Sequence, residues 1–173
     1  MLFRSLDLAG AEIELATEAG REFILREKLK AYKSAYEFIL IDCPPSLGLL
    51  TVNALTASDK VIMPLQAQFL AVHGLSRLTE SIDKVKARLN PHIALDGVFI
   101  TQYDGRKVLN RNIADSVKEN FKSSLFSTFI RNNIALAEAP YSGKDIFEYA
   151  PASNGAKDYM ALSKEIIKKY KNK

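Results

Sequence analysis

Among the 173 residues, the side chain best placed to do chemistry is Asp42. It directly follows Phe38-Ile39-Leu40-Ile41, a short unbroken apolar run, and it precedes Cys43-Pro44-Pro45-Ser46-Leu47-Gly48. The length of that run and its two isoleucines favour a strand buried on both faces. A carboxylate at the end of such a strand suits a nucleotide-bound Mg²⁺, gripped through water. The cation is hard and takes oxygen ligands, and the strand fixes where the ligand stands. Pro44-Pro45 cannot prolong a ladder, so the chain must turn there and cross the mouth of the site. On these residues alone, an acid that merely ends a strand or caps a turn accounts for Asp42 at least as well.

Other chemistries have little support. Ser46 has no histidine near it in sequence, and neither His73 nor His92 comes with a motif, which argues against a Ser–His nucleophile. Cys43 reads as a small packing residue. As the single cysteine it cannot form an internal disulfide, which fits a reducing compartment. Zinc-type ligand spacing is absent.

Hydrophobic periodicity supplies the elements that would position Asp42. Residues 18–35 read as a helix with Leu25, Leu29 and Tyr32 on one side, and residues 48–57 as a short helix. Val61–Leu65 reads as a second buried strand ended by Pro64. Residues 71–89 carry the clearest helical stripe, namely Val72, Leu75, Leu78, Ile82, Val85 and Leu89, and Asn90-Pro91 stops it. Val98–Thr101 is a third strand, residues 107–121 a helix, and Leu125–Ile130 a fourth strand. A last helix runs from an N-cap at Ser153 to Tyr170. Strands alternating with helices imply an α/β, doubly wound, mostly parallel sheet with helices on both faces, whose ligands gather at the carboxyl ends of the strands.

The composition, 47% hydrophobic with 24 basic and 20 acidic residues, excludes disordered, collagen-like and disulfide-scaffold classes. No apolar run approaches the roughly 18–20 residues of a membrane span, and no signal-peptide layout opens the chain. The net charge of +4 is confined to residues 157–173, where six lysines face only Asp158 and Glu165. At 100° per residue, Lys157, Lys164, Lys168 and Lys171 share one stripe, opposite Tyr159, Leu162, Ile166 and Tyr170. By itself such a stripe reads as a solvated face.

The string from Phe38 through Asp42, Pro44, Pro45 and Ser46 to Leu55 resembles the Walker B and switch II segment of the ParA family, the chromosome- and plasmid-partitioning ATPases related to MinD. Leu8–Leu15, Pro64–Phe69 with Gly74-Leu75, Thr101–Arg106, Leu136–Pro140 and Ala150–Ala156 resemble further family blocks in collinear order. The resemblance implies a P-loop NTPase-like fold, ATP and Mg²⁺ as cofactors, and Asp42 as the Mg²⁺ ligand, acting through water. It implies that Thr101, Gln102, Tyr103, Ile130, Arg131 and Asn132 border the adenine. It also implies non-specific DNA binding, with Arg106, Lys107, Arg111, Arg131, Lys164, Lys168 and Lys171 as candidate contacts. Where many relatives read T-x-I-P-R-N-x-R-L, this chain has Thr128-Phe129-Ile130-Arg131-Asn132-Asn133-Ile134-Ala135-Leu136. Arg131 therefore stands at the proline position, with Asn132 and Ala135 at the arginine positions.

The family's phosphate loop, of the KGGxGKT type, is not found. The sole Gly-Lys pair, Gly143-Lys144, lacks the upstream glycine and is followed by Asp145. The expectation is a single ParA-like ATPase domain over residues 1–173, N-terminally incomplete, resembling the C-terminal two-thirds of a ParA protein. It would lack the first strand and the phosphate loop, carry no catalytic residue of its own, hold ATP and Mg²⁺ weakly and be incompetent for hydrolysis. Expected partners are DNA, a ParB-like protein and a second copy or a full-length paralogue, in the cytoplasm on the nucleoid and not at a membrane. The alternative is a non-catalytic degenerate relative acting as a DNA- or partner-binding module.

Overall fold

The computed structural model describes residues 5–43 and 48–171, with the backbone alone for 5–9 and 69–77. Pro44, Pro45 and Ser46 lie outside the described residues. The chain divides into two compact units, Met1–Val61 with Arg77–Ala94, and Ile62–Ser76 with Leu95–Lys173.

In the first unit, α1 spans Ser5–Ala16, a 3₁₀ turn Arg21–Phe23, α2 Ile24–Leu29 and α3 Leu49–Ala57. Three side chains hold α3. At its start the Glu12 carboxylate accepts the Leu49 N–H at 2.7 Å, supplying the cap that Gly48 lacks. In its middle, buried Asn53 donates to the carbonyls of Arg21 at 2.7 Å and Leu49 at 3.1 Å, and accepts the Leu25 N–H at 3.1 Å. Beyond its end, Asn90 donates to the carbonyls of Leu55 at 3.0 Å and Ser58 at 2.7 Å. Buried amides satisfied on both sides fix such a unit more firmly than its short helices would alone.

Two expectations fail in this unit. The helix predicted over 18–35 is broken, because Gly20 adopts a left-handed φ of 68° and Leu25 gives its N–H to Asn53. After α2 the chain continues in turns, with Tyr32 N–H bonded to Leu29 O and Ala35 N–H to Tyr32 O, both at 3.0 Å. Phe38–Ile41 forms no strand. Phe38 and Ile39 are each 38% exposed and Leu40 86%. An apolar run is buried on two faces only when strands flank it, and no described strand pairs with this one.

α4, Phe69–Arg88, follows the predicted stripe where its side chains are described, burying Ile82 and Val85. Val72 and Leu75 of that stripe lie outside the described side chains.

In the second unit, which holds all of β1 (Val61–Gln66) apart from Val61 at its start, that strand and β2 (Leu95–Thr101) form a two-stranded sheet. The bonds Val61 N–H to Ala94 O at 2.9 Å and Ala67 N–H to Thr101 O at 3.2 Å advance together along both strands, so the pair is parallel. Pro64 lies inside β1 rather than ending it. It is exposed, on a strand with one described neighbour, where a missing N–H removes no ladder bond. The side chains alternate as the pleat requires. Leu65, Val98 and Ile100 pack with Ile113, Ala114 and Val117 of α5, Val108–Asn120. Ile62 and Phe99 pack with Leu162 and Ile166 of a later helix on the other face. The parallel sheet with helices on both faces is thus present.

The predicted fourth strand is reduced to two parallel bridges, Val98 with Leu125 and Tyr103 with Arg131. Phe126 N–H bonds Val98 O and Ile130 N–H bonds Ile100 O, both at 2.8 Å. Between those bonds the segment advances four residues while β2 advances two, so residues 127–129 bulge out of the ladder. Short helices α6 (Ile134–Glu138) and α7 (Ile146–Tyr149) follow, then α8, Asn154–Lys171. Ser153 Oγ accepts the Ala156 N–H at 3.1 Å, so the predicted cap is in place.

Candidate functional site

The carboxyl end of β2 and the end of the bulged segment are joined. Tyr103 donates its N–H to Ile130 O at 3.0 Å, and Asn132 donates its N–H to Tyr103 O at 3.0 Å. Thr101, Gln102, Tyr103, Ile130, Arg131 and Asn132 therefore sit side by side on one edge. Gln102, the one described non-glycine residue with positive φ, at 53°, is exposed. A left-handed L-residue costs roughly 1–2 kcal/mol and persists only where its surroundings hold it. The neighbours do so here. The Tyr103 ring meets Phe129 edge-on, with centroids 5.0 Å apart. Buried Asn110 of α5 accepts the Asp104 N–H and donates to Ala67 O, each at 2.8 Å, tying the ends of β1 and β2 to one side chain.

The candidate cations differ in what they touch. Arg106 makes two guanidinium bonds to Asp104, both at 2.9 Å, and with its own N–H holds that carboxyl down at about 2. Arg111 donates to the carbonyls of Gly105 at 2.7 Å and Arg106 at 3.2 Å. Lys107 is exposed at the start of α5. Arg131 grips Asp158 of α8 through Nε at 2.9 Å and Nη2 at 2.7 Å, and adds its backbone N–H at 3.0 Å. Burial pushes the Asp158 carboxyl up, but the Arg131 bonds outweigh it and hold the group below the usual aspartate value. Glu165 repeats the arrangement two turns on. Its carboxylate accepts the Ser127 N–H at 2.7 Å and the Thr128 N–H at 3.1 Å, so the amides that bulge out of the ladder are satisfied. Burial raises its pKa too, and these bonds again bring it below the ordinary value.

Lys157, Lys164, Lys168 and Lys171 are all exposed on α8. Lys169, one residue off that stripe, turns inward to the Asp96 carbonyl and lies 5.3 Å from the Phe126 ring centroid. Nearby Tyr170 Oη and Asp96 Oδ2 are buried without a hydrogen bond of good geometry. Burial, and then the facing carboxylate, still push the Tyr170 phenol well above its usual value.

Asp42 belongs to the other unit and is exposed, as is Cys43, whose thiol is raised by partial burial and then by the Asp42 charge. Among the described residues no three His, Cys, Asp or Glu side chains form a metal cage. A lone exposed carboxylate fits Mg²⁺ that keeps waters and substrate phosphates as its other ligands, and not a protein-only site. No G-x-x-x-x-G-K-[ST] string occurs in the sequence, so these 173 residues hold no phosphate-binding loop of that type. No described helix is long and apolar enough to cross a membrane.

The sequence reading missed Asn53, Asn110, Asp158 and Glu165. Only Arg131 carried a signal, since an arginine in place of a proline brings a charge and an N–H that both need an acceptor.

A family model described as an AAA domain matches residues 1–95. The chromosome partitioning protein ParA of Myxococcus xanthus is 44% identical over 94% of this chain and 58% of its own length. The sporulation initiation inhibitor protein Soj of Bacillus subtilis is 45% identical over 94% of this chain and 64% of its own. The chain thus spans about three-fifths of the length of these relatives. Cobyrinic acid a,c-diamide synthase from Mycobacterium smegmatis, solved with ADP and magnesium, superimposes with a TM-score of 0.67 at 35% identity, covering 80% of this chain and 61% of that one. The α/β fold and the match over residues 1–95 place the chain in the AAA-domain family, and it is similar over 94% of its length to the partitioning protein ParA and to Soj.

Proposed function

We propose that this chain carries the base-binding and Mg²⁺-side parts of a partition-type nucleotide switch, whose ATP-bound form pairs with a second copy and binds DNA without sequence preference. One observation carries the reading. The strand ends Thr101–Tyr103 and Ile130–Asn132 are hydrogen-bonded into a single edge beside strained, exposed Gln102, where an adenine would lie. Asp42 would contribute one carboxylate to Mg²⁺ through water, and the ion would neutralise phosphate charge when bound. The nucleotide-bound relative of similar fold supports this assignment. The name of the chromosome partitioning protein ParA among the curated relatives supports a role in chromosome partitioning, and a ParB-like partner belongs to the same proposal.

The chain supplies no phosphate-cradling loop, and most of phosphoryl-transfer catalysis lies in neutralising the β- and γ-phosphates. No hydrolytic step is assigned to it. Single-turnover mixing of the purified chain with ATP and Mg²⁺ is expected to release no phosphate above the protein-free rate. Metal-dependent release abolished by Asp42→Ala would contradict this. The missing loop also favours a second reading, a non-catalytic module that binds DNA or a full-length paralogue. DNA retention that needs Mg-ATP supports the switch, and retention indifferent to ATP supports the module.

A further inference from the structure

We propose that Asp158 is a positioning residue that sets the base end of the nucleotide site, a role that rests on the nucleotide reading above. Residues 130–132 are fixed from two sides. On one side Tyr103 bonds Ile130 O and Asn132 N–H through its own main chain. On the other, a single carboxylate receives the Arg131 N–H, Nε and Nη2 at 3.0, 2.9 and 2.7 Å. The Asp158 side chain is 11% exposed and the Arg131 side chain 49%, so these are charge-assisted bonds shielded on the carboxylate side. Glu165, seven residues along the same helix face, holds the amides of Ser127 and Thr128 in the same manner. The two carboxylates stand where a neighbouring strand would otherwise supply acceptors. Among the described residues the Ser127 and Thr128 amides have no other hydrogen-bond acceptor, so α8 helps set the height of the segment against β2.

The consequence is specificity. Gln102 stands on the edge that Tyr103 shares with residues 130–132, and the Arg131–Asp158 bonds hold the far side of that edge. A Gln amide separates the amino edge of adenine from the keto edge of guanine only when that edge is held to within about 0.5 Å. Asp158 touches no base. It acts through Arg131, and Arg131 is thereby a structural partner rather than a cation free for nucleic acid.

The test compares the unaltered chain with Asp158→Asn and Asp158→Glu. Binding of Mg²⁺-ATP and Mg²⁺-GTP is measured by displacement of a fluorescent ATP analogue, and amide hydrogen exchange is followed over residues 127–133 and 159–167. Asp158→Asn is expected to erode the ATP-over-GTP preference about tenfold and to speed exchange at 131–133 by a similar factor, with exchange across 159–167 unchanged. Asp158→Glu is expected to keep most of the preference. An unaltered chain that binds ATP selectively, with the same preference in Asp158→Asn, overturns this role alone. Faster exchange along α8 as well as the loop overturns it too, since the residue would then be supporting the helix. An unaltered chain that binds neither nucleotide overturns the nucleotide reading, and this role falls with it.

Discussion

Asn110 engages both ends of its amide in bonds that no other described group duplicates. Its carbonyl oxygen takes the Asp104 N–H and its amine reaches Ala67 O, and the side chain sits at 7% exposure among Ile113, Ala114 and Val117. Asn110→Ala leaves a buried carbonyl and the Asp104 N–H without partners. Each orphan costs about 1–3 kcal/mol, so a loss of about 3 kcal/mol is expected, read as a lower urea midpoint at unchanged slope. Gln102 predicts the opposite sign. Its φ of 53° is one that glycine adopts freely. Gln102→Gly should therefore stabilise the fold by about 1 kcal/mol while weakening discrimination between adenine and guanine nucleotides. Stability and function traded at one position are what a strained residue in a binding edge implies. If Gln102→Gly destabilises the chain, the strain argument is wrong.

At the scale of elements, α8 is both a strut and a charged surface, and pH separates the two. Asp158 and Glu165 both have folded-state pKa values below the ordinary ones. Their contribution is complete above the unfolded carboxylate range of about 4 and is lost as pH falls through the lower folded values. The stability difference between the parent and Asp158→Asn/Glu165→Gln should be largest near neutrality and shrink below about pH 4. A difference that is the same at pH 7 and pH 3 would remove the carboxylates from the account. Helices α4, α5 and α8 were legible in the sequence because a 3.6-residue period is a local property, and so was the Ser153 cap. Phe38–Ile41 was not, because an apolar run announces a wish for burial while its neighbours decide whether burial occurs. Nor was the Leu125–Ile130 bulge, whose cause is Glu165, 37 and 38 residues away from the amides it holds. Asp158 lies 27 residues from Arg131 and belongs to no motif. The strand-end edge itself was legible, because strands in a parallel sheet deliver their carboxyl ends to one side.

At the scale of the whole molecule, charge is segregated more sharply than the net +4 conveys. The two acids of α8 face inward onto strand amides, so they do not offset the lysines on its outer face. Arg106 and Arg131 are each paired with an aspartate, and Arg111 is bonded to backbone carbonyls. A polyanion approaching this unit would meet an almost purely cationic stripe about 20 Å long, from Lys157 to Lys171. Non-specific DNA affinity falls with salt by a slope near −0.9 per phosphate neutralised. If each of the four lysines of this stripe neutralises one phosphate, retention of duplex DNA should show a log–log slope of about −3.6. Lys164→Glu/Lys168→Glu/Lys171→Glu should abolish retention at low salt, and Arg106→Ala/Arg111→Ala should leave the slope nearly unchanged. Retention measured by filter binding between 25 and 200 mM salt (approximate working limits for the counterion argument) separates these outcomes. A slope that collapses in the arginine variant and survives in the lysine variant would move the nucleic-acid contact to the strand-end loops. Such a result would also mean that the ion pairs seen there open on binding, since an arginine held by a carboxylate has little attraction left for a phosphate.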